Sequence, residues 1–174
     1  MKETLAILSS YGKGVNNKVI SILEGIPEEK LQQDMNAYYK SILKTFIHMT
    51  MADINWFIRL KNLFPASALT RSELLQTTID DLQDRVEKNY REIFSIRRAA
   101  DELFVKFISE LPEEDFKKVI NYKDRMGNAL SNKIGHILLH LFNHQTHHRG
   151  AISTMLDMQG IDNDYSGLFK YPLE

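Results

Sequence analysis

Apolar side chains return along this chain at steps of three and four residues in four long segments, the spacing that gathers them on one face of an α-helix. Leu5, Leu8, Val15, Val19 and Ile22 mark the first helix, which should end near Glu24-Gly25 with Pro27 just beyond. Gly12 and Gly14 weaken it, each by about 1 kcal/mol relative to alanine in a helix interior. A second helix is predicted from about Tyr38 to Leu63, closed by Pro65. Ile42, Phe46, Met49, Asp53, Phe57, Leu60 and Phe64 share its main face. Ile47, Met51, Ile54 and Ile58 widen the apolar arc so far that this helix must be central or shared with a partner. The third is predicted from about Thr78 to Leu111, with Ile79, Leu82, Val86, Ile93, Ala100, Leu103, Phe104 and Phe107 as its stripe and Pro112 as its stop.

The pattern then changes. From Asp115 to Leu130, apolar residues mix with charges, and Asp124-Arg-Met-Gly127 is a turn signal, so a long connection with a short strand or hairpin is expected. The fourth helix is predicted to start at Ser131 as N-cap and to run to about Gln159, where Gly160 ends it. The tail, Ile161 to Glu174, carries Tyr165, Leu168, Phe169 and Tyr171, and is expected to dock as cover for the core, with a lid over a site as the alternative. Four helices, each with an apolar face, and no repeat or linker predict an all-α, four-helix bundle as a single domain over 1–174, with the long connection between helices 3 and 4.

Composition narrows the chemistry. An apolar content of 43% and a charged content of 26% in 174 residues suit a globular domain with a sizeable core. A formal charge of −1 gives no field to draw nucleic acid or an anionic membrane. Lys88, Arg91, Arg97 and Arg98 form a small basic group, but neighbouring acids dilute it, and a salt-bridged helix face is expected. No segment approaches the roughly 20 apolar residues of a membrane span, and no apolar signal core follows Met1, so a soluble, cytoplasmic protein is expected. Cysteine is absent, which excludes disulfides, a thiol nucleophile and thiolate ligands; any thiol chemistry must use a thiol from outside.

Five of the six histidines lie in one helical segment, His136 to His148, and the sixth is His48. Imidazole is the commonest protein metal ligand, and two histidines four apart on a helix point the same way. With Ile134 at the centre of the apolar stripe, His148 falls about 40° away, His144 about 80° and His140 about 120°, while His136 and His147 point outward. His144 and His148 are therefore the best inward pair, and His140 extends the row as an outer partner or occasional ligand. His48 shares a narrow lane with Ser41, Thr45, Ala52, Asn55 and Arg59. That lane faces either solvent or a polar cavity between helices. No glutamate precedes a histidine by three positions, which argues against a ferritin-like two-metal site, and Gln145 stands where a zincin protease has its glutamate base. Phosphate-binding glycine loops are missing.

The run Asn143-His-Gln-Thr-His-His-Arg-Gly150 resembles the C-terminal signature of the DinB family of helical metal-binding proteins (DinB/YfiT-like, related to bacterial low-molecular-weight-thiol transferases). Ser41 to His48, followed by Asp53 and Trp56, is similar to the segment carrying that family's first histidine, and Tyr11 with Asn16, Ile22, Leu23 and Ile26 is similar to its opening helix. The resemblance implies a four-helix bundle with a long crossover, commonly a homodimer, in which His48, His144 and His148 bind one divalent metal. It thereby favours the cavity for the His48 lane. Two departures stand out: Gly14-Val15 replaces a tryptophan of the opening helix, and Ala151 stands where a glutamine often follows arginine-glycine, both positions able to shape the pocket or its support.

A mononuclear three-histidine site with open positions suits zinc first, with nickel, manganese, iron and cobalt as alternatives. Two reactions fit it: transfer of a low-molecular-weight thiol to an electrophilic small molecule, or hydrolysis by activated water. Asn55 and Arg59 are the candidate substrate contacts, the latter for a carboxylate. A non-enzymatic, metal-stabilised stress-response or binding module is the third reading.

Overall fold

The computed structural model describes residues 1–124 and 126–171; Arg125, in the expected turn, and residues 172–174, at the end of the tail, lie outside the described residues. Its long helices are α1 (Lys2–Glu24), α3 (Ile42–Lys61), α6 (Glu92–Glu110) and α7 (Ile134–Met158), with short helices α2 (Glu28–Gln32), α4 (Ala68–Arg71) and α5 (Ile79–Lys88) in the connections. Both α1 and α3 pack against α6 and α7, closing a four-helix bundle around one apolar cluster. Among the described residues, no helix is long and apolar enough to cross a membrane.

The apolar circumference of α3 is taken up within the chain, because α2, α4, α5, α6 and α7 all pack on it and Lys44 is its one exposed residue. Of the two explanations for that wide arc, central position accounts for it. The exposed large apolar side chains lie elsewhere, with Tyr38, Met126 and Phe169 the most open.

Three boundaries differ from expectation, each for a local reason. Helix α3 starts at Ile42 rather than Tyr38, because the Ser41 hydroxyl accepts from the Lys44 backbone N–H at 3.2 Å and caps the first turn. Residues 38–40 are thereby released into a loop. The third predicted helix breaks into α5 and α6 at Asn89, whose extended backbone and side-chain oxygen, accepting from Arg91 N–H at 3.2 Å, compete with the helical pattern. The fourth helix starts at Ile134, since Ser131 sits inside a strand instead of capping the helix. That strand, β2 (Ala129–Lys133), pairs antiparallel with β1 (Val119–Lys123), with Asn121 opposite Ser131, which is the expected hairpin. The Ile134 N–H bonds to Lys118 O at 2.9 Å, so the hairpin feeds directly into α7.

The described part of the tail, through Tyr171, docks, as expected. Tyr165 is buried and donates to the Arg149 carbonyl at 2.9 Å, and Tyr171 meets Tyr11 edge-on at 5.8 Å. Gly14 makes this possible: a Cβ there would lie 2.7 Å from the Tyr171 ring. Phe169 stays in solvent.

Candidate metal centre

His144 and His148 are successive rungs of α7, and α3 packs directly against that helix. His48, the seventh residue of α3, thereby meets a pair whose first member lies 96 positions further along the chain. Its Nε2 lies 3.2 Å from Nε2 of His144, which is 3.0 Å from Nε2 of His148. Among the described residues these three form the one group of three candidate ligands whose donor atoms cluster, all within 4.8 Å of one another. Three nitrogens each about 2.0–2.1 Å from one ion stand about 2.9–3.4 Å apart, depending on coordination geometry. The two observed separations fall inside that range, so the three side chains can hold a metal ion.

The first part of the lane containing His48, from Ser41 to His48, faces inward. Ser41 and Thr45 are buried, and Thr45 lines a cavity of about 390 Å³ beside the histidines. The other walls are Ala37, Tyr38, Tyr39, His147 and Ala151, so the position where a glutamine was the more usual residue does border the site. The volume is that of a small-molecule pocket. Among the described residues, no carboxylate lines it. His148 is almost fully covered, and burial, reinforced by the proximity of His48 and His147, pushes its imidazole down to about 4. It is therefore neutral at pH 7, the form that offers a lone pair to a metal.

The remaining candidates sit farther out. His140 is exposed, its ring 6.1 Å from that of His144. Asn55 and Arg59 do not line the histidine cavity; the Arg59 guanidinium rests over Trp56 and Tyr122, at 5.1 and 5.8 Å from the ring centroids. The tail residues among those described line none of that cavity, so they cover core rather than site.

Tyr39 belongs to the site and escaped the pattern. Its hydroxyl lies 2.9 Å from His48 Nε2 and its ring stacks on His48 at 4.0 Å. The prediction of a helix from Tyr38 hid it; recognising Ser41 as the N-cap would have placed it in a loop before the helix.

Behind the histidines, the four long helices meet in a polar knot. Arg97, fully buried, donates to Asp53 at 2.6 Å and to Asp101 at 2.7 Å. Asn16 donates to Asp101 at 2.9 Å, Gln145 to Asp53 at 2.9 Å, and Arg149 to Asn16 and Gln145, both at 3.2 Å. Burial pushes the Asp53 carboxyl up to about 6 against the pull of Arg97. Gln145 and Arg149 each directly follow a histidine of the α7 pair, so the knot holds that pair in rotation relative to α3. Arg97 thus departs from the exposed, salt-bridged face expected of it, whereas Arg98 fits, pairing with Glu24 at 3.1 Å. Part of the knot was signalled in the sequence: Asp53 and Gln145 lie on apolar faces.

A family model described as DinB family matches residues 1–165. Protein DinB of Bacillus subtilis (strain 168) is 23% identical over 154 residues, which cover 88% of this chain and 84% of that protein. No solved structure matches. The fold, the histidine cluster and a family match over nearly the whole chain agree, and the protein belongs to the DinB family.

Proposed function

We propose that this protein binds one divalent metal ion per chain through His48, His144 and His148, zinc in the first instance, and uses it to transfer a low-molecular-weight thiol to an electrophilic small molecule. The convergence of three imidazole nitrogens from two distant segments carries this reading. When bound, the ion would act as a Lewis acid that lowers the pKa of a coordinated thiol or water. The chain's own residues supply the rest. His148 is kept neutral by burial, and the polar knot orients α7. The walls of the cavity, mostly aromatic, aliphatic and imidazole groups, suit a small organic electrophile.

One observation favours a thiol over water as nucleophile: among the described residues, no carboxylate lines the cavity to act as general base for hydrolysis. The chain has no cysteine, so that thiol comes from outside. The same reading includes a homodimer, which rests on the family resemblance and is checked by sedimentation velocity.

The test is metal analysis followed by paired assays. Purified protein should carry about one zinc per chain, and His48→Ala, His144→Ala and His148→Ala should each lose most of it. The zinc form should conjugate a small thiol to a generic electrophile faster than it hydrolyses esters or amides. Hydrolysis alone would replace the transferase with a hydrolase. Metal without turnover in either panel would leave a binding module, and full metal retention in the alanine variants would dismantle the site.

A further inference from the structure

A fourth heteroatom stands beside one of the three imidazole nitrogens, that of His48. The Tyr39 oxygen is 2.9 Å from His48 Nε2, close to the 3.2 and 3.0 Å that separate the nitrogens from one another. Donors sharing one ion at about 2 Å are spaced in this way. The side chain is held there by two of the proposed ligands, stacked on His48 with rings 4.0 Å apart and edge-on to His148 at 5.4 Å.

Its backbone is also constrained. Asn36 and Lys40, which flank Ala37 to Tyr39, have φ of 54° and 69°, a region that asparagine enters readily but that is uncommon for lysine. The turn is closed by Met35 N–H to Lys40 O at 2.7 Å and Lys40 N–H to Ala37 O at 2.8 Å.

Charge supplies the chemical reason. Three neutral imidazoles leave a divalent ion with its full charge, and among the described residues no carboxylate lines the cavity to offset it. A phenol is the most acidic oxygen-bearing side chain among the cavity walls. Tyr38 is the other one, but it is 91% exposed and its ring contact is with Tyr39, not with a histidine.

We infer that Tyr39 supplies a fourth, oxygen donor to the ion held by His48, His144 and His148, binding as phenolate while its proton leaves to solvent. The inference rests on the metal site proposed above. It makes the resting site four-coordinate, so that a substrate sulfur or oxygen must compete with a phenolate for the ion.

Copper(II) reports this directly, because it accepts nitrogen and oxygen ligands and a bound phenolate gives it a visible charge-transfer band. The full chain, stripped of metal, is loaded with one equivalent of copper(II). Wild type and Tyr38→Phe should show the band, and Tyr39→Phe should lose it while still binding one copper per chain. Resonance Raman excitation within the wild-type band should show tyrosinate modes, which identifies the donor type without relying on a variant. Copper bound without such a band, or a band that survives in Tyr39→Phe, overturns the role of Tyr39 and leaves the three-histidine site standing. Failure of the wild type to bind copper stoichiometrically removes both.

Discussion

His148 is where burial and ligation work together. A histidine on the solvent side of α7 would be partly protonated near neutrality, whereas burial takes this one from its ordinary 6.5 to about 4. The folded protein thus resists protonating it more than the unfolded chain does. In the metal-free protein its contribution to stability is fully present above about 6.5 and is lost as pH falls through that value towards 4. Imidazole proton shifts followed by NMR should show His148 titrating well below the other ligand-free norm for histidine, and a midpoint near 6.5 would contradict the burial seen here. Denaturation midpoints of the metal-free protein should fall between pH 6.5 and 4, with a shallower fall in His148→Gln. Tyr39 teaches a complementary lesson about single residues. Nothing in its own spacing marks it, and only the hydroxyl of Ser41, two positions later, decides whether it is helical or free to reach the site.

At the scale of elements, the polar knot does what apolar packing cannot. Leucine stripes let two helices slide or rotate by small steps at modest cost, but charge-assisted bonds have narrow geometry. Asp53 on α3, Arg97 and Asp101 on α6, Gln145 and Arg149 on α7 and Asn16 on α1 hold all four helices in one register. Removing Arg97 would strand two buried carboxylates. Arg97→Met is expected to cost about 3–5 kcal/mol, the order seen when one partner of a buried pair is deleted. Urea denaturation of the metal-free protein measures it, and a loss below about 1 kcal/mol would show that the knot is not under this electrostatic constraint. Two members were visible in the sequence as polar residues on an apolar stripe, Asp53 beside Met49 and Phe57, Gln145 between Leu141 and Ile152. Which members pair was not visible, because periodicity describes one helix at a time.

For the whole molecule, the metal centre is a long-range contact. His48 and His144 are 96 residues apart, and only the packed bundle brings them within 3.2 Å. A ligand that binds the folded chain and not the unfolded one stabilises it by mass action, about 2.7 kcal/mol at a concentration 100 times its dissociation constant. Zinc should therefore raise the melting temperature, by about 5–10 °C for a domain of this size. A chelator should reverse the rise, and His48→Ala should abolish it. An equal rise in His48→Ala would mean that the α7 pair alone holds the metal.

Much of the architecture was written in one dimension. Hydrophobic periodicity located the long helices, the change of pattern after Asp115 announced the hairpin, and the four-residue spacing of His144 and His148 marked them as a pair facing one way. These are local properties, set by the 3.6-residue turn and by where apolar side chains recur. The direction faced by the His48 lane, the burial of Arg97 and the arrival of Tyr39 at the histidines were decided by the tertiary structure. Each depends on what a neighbouring helix or loop places opposite a residue, and on the removal of water from between them, which no spacing along a single chain records.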